Sequence, residues 1–218
     1  MGILETKNKN KDINKDINKD NIQILEDNLK PKGTITVLGA GRLGVRVVMD
    51  LLEVHRGGFE KIQVFDGAKI DKNDIIHRKY GAKVGEYKSK FLEDFYPGKV
   101  EAISEHINAT NIDKINGNII VSVIAGGNTL KIRESVLNYA LMNKKQFIST
   151  NGVFGIEKPV KVEMSQEATG PVEYMKNMPN HIVIGTGGLI RDNEPITPYT
   201  LDKMSELIVK TSLILKKD

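Results

Sequence analysis

A glycine-rich turn carries the clearest chemical signal in this sequence. Gly39, Gly41 and Gly44 have the spacing of a dinucleotide-binding fingerprint, with Arg42 and Leu43 between the last two. The first glycine of such a turn permits a tight bend, the second lets a ligand approach the backbone, and the third packs a helix on a strand. The helix that follows offers unpaired N–H groups to an anion. These five residues are predicted to bind a nucleotide-type cofactor.

A carboxylate stands at the end of the next predicted strand. Asp66 follows Ile-Gln-Val-Phe, and Gly67 and Ala68 come directly after it. An acid at this place accepts hydrogen bonds from ribose hydroxyls, so all three residues are assigned to the cofactor site. NAD, FAD, ATP and S-adenosylmethionine all present an adenosyl ribose, and the motif does not choose among them. The alternative is a bare glycine turn with Asp66 as a strand-end cap.

The elements that must position these residues alternate between strand and helix. Patterns of buried strands occur at 35–38, 62–65, 99–104, 119–124 and 146–149, and helical patterns at 42–54, 85–95 and 130–142. Such alternation predicts an α/β fold, a Rossmann-like, doubly wound and mostly parallel sheet with helices on both faces. Alternating residues at 160–164 and a short strand at 181–184 predict a small antiparallel extension. An apolar stripe over 200–216 predicts a C-terminal helix.

The chain is expected to form one cofactor-binding and catalytic domain over 33–218, preceded by a tail and a helix over 1–32. The repeat Lys-Asp-Ile-Asn has too few apolar groups for a core, so the tail is either solvated or a lightly held helical arm. A real helix is predicted at about 20–30. This segment and the terminal helix carry more apolar surface than one small sheet needs, which predicts a homo-oligomer.

Composition excludes several classes of function. The chain has no cysteine, which excludes disulfides, thiolate metal sites and a cysteine nucleophile. The histidines are isolated, so no metal site is predicted. The net charge of +4 comes from 32 basic and 28 acidic residues that are scattered without aromatic interleaving, so a small anionic substrate is expected and nucleic acid is not. No apolar run would span a membrane and no secretory signal follows Met1, so a cytoplasmic location is expected.

The stretch 36–95 resembles the ThiF/MoeB/E1-like adenylating fold. The resemblance rests on Val-Leu-Gly-Ala-Gly-Arg-Leu-Gly, on Val-Phe-Asp-Gly-Ala-Lys-Ile-Asp-Lys-Asn-Asp-Ile-Ile-His-Arg, and on Val-Gly-Glu-Tyr-Lys. It implies that Asp66 holds ribose and that Asn73, Arg78 and Lys88 hold ATP phosphates, although the spacing from Asn73 to Arg78 is stretched. Alternatively, Arg78 and Lys88 have no ligand role and are solvated charged side chains beside a helix.

The departures from that family favour a different ligand. Adenylating members carry an aspartate after the fourth strand to hold Mg²⁺, and this sequence has Val-Ile-Ala-Gly-Gly-Asn there. Without that carboxylate, the protein lacks a group that stabilises charge during phosphoryl transfer. We therefore expect that it has lost the adenylation reaction of the family. Ala125 and Gly126 would leave room for adenosine or a sulfonium group against the backbone. This combination resembles the HcgC family of pyridinol C-methyltransferases, which serve assembly of the FeGP cofactor of mono-iron hydrogenase; the Lys/Asn/Ile-rich composition suits a methanogen.

The resemblance to HcgC implies an S-adenosylmethionine-dependent C-methyltransferase acting on a small hydroxypyridine carboxylate. The ring would attack the sulfonium methyl in line once both were held at reacting distance. Thr150, Asn151 and Thr186 are the candidate catalytic residues, because ligands gather at the carboxyl ends of strands in open sheets. Each of them is equally typical of a turn. Two alternatives remain open: E1-like adenylation of a carboxylate with ATP–Mg²⁺, and a non-catalytic nucleotide-binding protein.

Overall fold

The computed structural model describes residues 21–125, 129–171 and 181–216. Most of the predicted tail and one predicted site residue, Gly126, lie outside these ranges. Residues 21–28 are helical, as the sequence predicts for about 20–30. Among the helices of the described residues, none has the length and apolar character needed to cross a membrane.

The described strands form one mostly parallel sheet. They are β1 (Thr34–Leu38), β2 (Lys61–Phe65), β3 (Val100–Ile103), β4 (Ile119–Ser122), β5 (Gln146–Thr150), β6 (Lys161–Met164) and β7 (His181–Gly185). Their order across the sheet is β3-β2-β1-β4-β5-β7-β6. Only β6 runs antiparallel, against β7, so the predicted antiparallel extension is confirmed.

The helices of the domain are α1 (Arg42–Glu53), α2 (Ile75–Lys79), α3 (Lys88–Phe95), α4 (Leu130–Met142) and α5 (Pro198–Leu215). Four of them match predicted helices within a few residues. The sequence did not predict α2, because five residues are too few to show a periodic apolar pattern. The predicted Rossmann-like fold with a C-terminal helix is confirmed.

Burial explains the continuous apolar runs of the central strands. Alternate residues of a strand point to opposite faces of the sheet. On one face Ile35 and Val37 pack in a cluster with residues of α1, α3 and α5, and on the other Leu38 packs in a cluster with residues of α4. Because both faces are covered, these strands are largely apolar on both sides, and a polar exception, Thr36, is itself buried and donates to Gln63 at 2.9 Å.

The strand order indicates where along the carboxyl ends of the strands a ligand can bind. The chain runs outward from β1 through β2 to β3 and then returns to the other side of β1 with β4. The connections therefore diverge between β1 and β4, which leaves a crevice at the carboxyl ends of these strands. Ligands of open α/β sheets bind in such crevices.

Candidate nucleotide site

The glycine turn has the geometry that its spacing predicts. Gly39 has φ +98, a conformation that favours glycine, and its N–H donates to the Phe65 carbonyl at 2.8 Å. A Cβ on Gly44 would lie 1.9 Å from the Gly39 carbonyl oxygen, so only glycine lets α1 pack so closely on the turn. A Cβ on Gly41 would meet nothing within 4 Å. The open side of the turn is therefore at Gly41, where a ligand can approach the backbone.

The first turn of α1 favours an anion. Gly41 is the N-cap, no side chain caps this end, and the first turn contains no acidic residue. The N–H groups at a helix start carry partial positive charge and point at an approaching ligand. Arg42 is exposed beside them, whereas Leu43 is buried in the core. Arg42 can thus meet a phosphate through its side chain, while Leu43 can offer only its backbone.

Asp66 ties the turn to the chain that follows β2. One carboxylate oxygen accepts from the Ala40 N–H at 2.6 Å and the other from the Ala68 N–H at 2.7 Å. Each oxygen keeps further lone-pair capacity for ribose hydroxyls. At Gly67 a Cβ would lie 2.8 Å from the His106 backbone nitrogen, so glycine is required there for packing. The carboxylate is therefore a local cap that still has acceptor capacity for a ligand.

A short paired segment brings Lys88 back to this region. The Lys88 N–H donates to the Ala68 carbonyl at 3.0 Å, one residue after an isolated bridge between Lys69 and Tyr87. The Lys88 ammonium lies 2.8 Å from a carboxylate oxygen of Asp74. Burial would raise the pKa of Asp74, but the Asp71 N–H and the Lys88 ammonium outweigh it and hold that pKa below its usual value. Lys88 is consequently oriented, and it has two further donors for a phosphate.

Asn73 and Arg78 lie on the same segment and are exposed. The Arg78 guanidinium donates one hydrogen bond, to the Lys72 carbonyl at 3.1 Å, and Arg78 belongs to α2. The Asn73 N–H donates to the Asp71 carboxylate. Asp66 is thus the candidate that contacts the glycine turn directly, whereas Asn73, Arg78 and Lys88 are bonded to residues 71–74.

The segment after β4 borders the turn on its other side. A Cβ at Gly39 would lie 3.3 Å from the Ile124 backbone, and Ala125, the next residue, is exposed. The buried Arg133 of α4 donates to the Ile124 carbonyl at 2.7 Å and to the Thr150 carbonyl at 3.2 Å. Arg133 thus joins the ends of β4 and β5.

The three predicted catalytic residues lie farther along the same edge. Successive strands are about 4.8 Å apart, which places the ends of β5 and β7 about 10 and 14 Å from β1. Thr150 is buried and contacts Arg133. Asn151 is 2% exposed and donates to the Thr169 carbonyl at 2.8 Å. The Thr186 hydroxyl donates to the Phe154 carbonyl at 2.6 Å and accepts from the Gly188 N–H, so it holds its own loop.

Sequence reasoning missed one residue under the turn. His77, on α2, is fully buried, and its Nε2 lies 2.8 Å from the Ala40 carbonyl oxygen. A lone histidine on an unpredicted helix gives no signal in the sequence. Within the described ranges there is no group of three or more histidine or carboxylate side chains that would hold a metal.

The fold places the chain in the class of ThiF-like Rossmann proteins. TcdA of E. coli, the tRNA N6-threonylcarbamoyladenosine dehydratase, superposes with a TM-score of 0.67, covering 83% of this chain and 84% of that chain at 14% identity. At that identity the likeness shows the fold alone. No family model matches the sequence.

Two relatives are much closer in sequence. HcgE from Methanothermobacter marburgensis, solved with guanylylpyridinol and ATP bound, is 41% identical, with a TM-score of 0.81 over 86% of this chain and 98% of that chain. An uncharacterized protein of Methanocaldococcus jannaschii, MJ0693, is 50% identical over 190 residues, which are 87% of this chain and 79% of the relative. The chain belongs to the HcgE family.

These findings correct the functional interpretation of the sequence. The expected S-adenosylmethionine-dependent methyltransferase is wrong, and so is S-adenosylmethionine as the cofactor, because the solved member of the family holds ATP. The similarity to HcgC is not shown; the ThiF-like fold is. The error arose from the missing aspartate. Mg²⁺ keeps several waters and is bound largely by substrate phosphates, so one absent carboxylate does not exclude ATP.

Proposed function

We propose that this protein binds ATP and a pyridinol of the guanylylpyridinol class, and transfers the adenylyl group of ATP to a carboxylate of the pyridinol. The observation that carries the proposal is the likeness to HcgE, which was solved with both guanylylpyridinol and ATP. The glycine turn and Asp66 support it, because an open backbone at Gly41 and a carboxylate bonded to the turn suit the phosphates and the ribose of a nucleotide. A pyridinol ligand also agrees with the expected link to FeGP cofactor assembly.

The reaction needs no covalent help from the chain. A carboxylate oxygen attacks the α-phosphorus of ATP, the bond from that phosphorus to the bridging oxygen breaks, and pyrophosphate leaves with the electron pair. The products are an acyl adenylate and pyrophosphate. A carboxylate is already ionised near pH 7, so no general base is required. Catalysis then rests on holding the two substrates in line and on neutralising phosphate charge.

The residues divide between the two substrates. We assign Asp66 to the ribose hydroxyls and the open N–H groups at Gly41 to phosphate. Arg78 and Lys88 supply the positive charge that a departing pyrophosphate requires. Mg²⁺ would arrive on the ATP phosphates and retain most of its waters. It would lower the charge repulsion between the carboxylate and the α-phosphate.

The polar residues beyond β4 are assigned to the pyridinol. A nucleotide-sized substrate beside ATP needs space along the sheet edge, and Thr150, Asn151 and Thr186 lie in that direction. The Oδ1 atom of Asn151 is buried with no partner among the described residues, which leaves one acceptor for a substrate donor. These residues are thus proposed to position a substrate, whereas the methyl transfer first expected of them is withdrawn.

Pyrophosphate exchange tests the function directly. The protein is mixed with guanylylpyridinol, ATP–Mg²⁺ and labelled pyrophosphate, and label in ATP reports reversible adenylate formation. We expect exchange that depends on guanylylpyridinol and falls at least about tenfold in Lys88→Met, since the charge facing the phosphates is lost. Calorimetry with ATP and S-adenosylmethionine is run in parallel. ATP binding without any exchange would indicate a non-catalytic nucleotide-binding protein, and absence of ATP binding would refute the proposal.

A further inference from the structure

The glycine turn is held from beneath by a histidine. The Nε2 atom of His77 lies 2.8 Å from the Ala40 carbonyl oxygen, so this nitrogen carries the proton and donates. The neighbouring N–H of the same residue, Ala40, donates to Asp66. The central residue of the turn is therefore fixed on both sides by side chains from elements far away in the sequence.

This contact determines where the next N–H group points. The peptide group between Ala40 and Gly41 is trans, and in a trans peptide the C=O and the N–H point in opposite directions. Because the Ala40 C=O points inward at His77, the Gly41 N–H points away from it. Within the described ranges, no acceptor bonds this N–H, and the space beside Gly41 is open.

We propose that His77 is a positioning residue for ATP: it holds the Ala40–Gly41 peptide so that the Gly41 N–H faces the ATP phosphates. The proposal rests on the proposed function and deepens it. A flipped peptide would present a carbonyl oxygen to the phosphates and repel them. The orientation of this one peptide group therefore determines whether it attracts or repels the phosphates. His77 acts through the backbone and does not touch the nucleotide.

The surroundings keep His77 in the required form. The ring is fully buried, its Nδ1 has no hydrogen-bond partner among the described residues, and the nearest carboxylate oxygen, of Asp74, is 3.9 Å away. Burial lowers the pKa of His77, against a smaller opposing effect of the bond to Ala40 and the charge of Asp74. A neutral ring with its proton on Nε2 donates to the Ala40 carbonyl and does not compete with Lys88 for the carboxylate of Asp74.

Three variants separate positioning from simple packing. His77→Met removes the donor and adapts to the space, whereas His77→Gln keeps an N–H at a similar distance along the side chain. His181→Met is the matched control, because His181 is equally buried, also has a bonded Nε2, and lies on β7 away from the turn. The affinity for ATP is measured by calorimetry, KM and kcat by pyrophosphate exchange, and the melting temperature by calorimetric scanning.

We expect His77→Met to weaken ATP binding about five- to tenfold and to raise KM for ATP more than it lowers kcat, which corresponds to about one hydrogen bond. His77→Gln should remain within about twofold of the wild type. His181→Met should lower the melting temperature but not the affinity. Unchanged ATP affinity in a folded His77→Met would overturn the role of His77. A wild type that fails to bind ATP would instead refute the proposed function.

A second measurement covers the case in which His77→Met does not fold. In ¹⁵N-labelled wild-type protein, the amide resonance of Gly41 should shift strongly on addition of ATP–Mg²⁺, because its N–H gains a charged acceptor. A Gly41 resonance that stays in place while the amides at Ala40 and Ala68 move would show that this N–H does not face the phosphates.

Discussion

At the scale of single residues, Asp66 shows how a structural and a binding role coincide. Its two oxygens accept from the N–H groups of Ala40 and Ala68, so the cap that was the simpler interpretation of this residue is real. The same bonds fix the carboxylate beside the glycine turn. Replacing Asp66 would therefore disturb the turn as well as the proposed contact to ribose.

His181 predicts a dependence of stability on pH. Burial, with the positive charge of Arg133 adding to it, lowers the pKa of His181 from 6.5 to about 4. The folded protein keeps this ring neutral, whereas the unfolded chain takes up a proton below about pH 6.5. Stability is therefore lost as the pH falls from 6.5 to 4, by about 3 kcal/mol from this group.

Urea denaturation at several pH values between 7 and 4 measures that loss. His181→Gln keeps a polar group for Ser149 but cannot titrate, so its free energy of unfolding should fall less steeply with acid than that of the wild type. Parallel pH profiles for the two proteins would show that the buried ring does not control acid stability.

At the scale of elements, Gly44 and Gly41 have different roles: Gly44 lets α1 pack closely on the turn, and Gly41 leaves the backbone open to a ligand. A Cβ at Gly44 would collide with the Gly39 carbonyl, whereas one at Gly41, at φ −72, would enter open space. We expect Gly44→Ala to lower the free energy of unfolding by about 1–3 kcal/mol through overpacking. Gly41→Ala should lower it by less than about 1 kcal/mol, since alanine is a poorer N-cap than glycine, yet weaken ATP binding about tenfold, or about 1.4 kcal/mol.

Each variant is the control for the other when unfolding and ATP calorimetry are measured together. Retained ATP affinity in Gly41→Ala would mean that no ligand approaches the backbone there.

The pattern of the elements could be predicted because each central strand and long helix has its own apolar period. A buried apolar run predicts the strand Thr34–Leu38, and an apolar helical stripe predicts the helix Arg42–Glu53. The spacing of the glycines predicts the turn between them. The helix α2 escaped prediction because it has no stripe of its own. Its position depends on His77 packing beneath the turn and beside Phe91, a contact between distant parts of the chain.

At the scale of the whole molecule, an apolar surface remains near the start of the described chain. Ile22, Leu25 and Leu29 follow helical spacing on one side of the segment and are 42–63% exposed. Clustered exposed apolar residues of this kind are typical of an association surface. We expect the protein to be a homo-oligomer at micromolar concentration, measured by light scattering.

Leu25→Lys should lower the measured mass toward that of one chain, because a charge would have to be buried in the interface. Met142→Lys is the control, since Met142 is 84% exposed at the end of α4. A wild type that is already monomeric, or a Leu25→Lys variant of unchanged mass, would contradict the predicted association.

The sequence by itself determined the Rossmann-like fold, the glycine turn and the acid after β2, because these depend on local periodicity and spacing. It did not determine the ligand. The ATP-bound relative HcgE corrected the ligand, whereas the structure added contacts that only packing brings together, such as Lys88 with Asp74 and His77 with Ala40. A single missing aspartate was therefore a poor guide to the chemistry. The tertiary structure decided which charges face the turn and which N–H is left open, since those depend on contacts between elements and not on any one stretch of sequence.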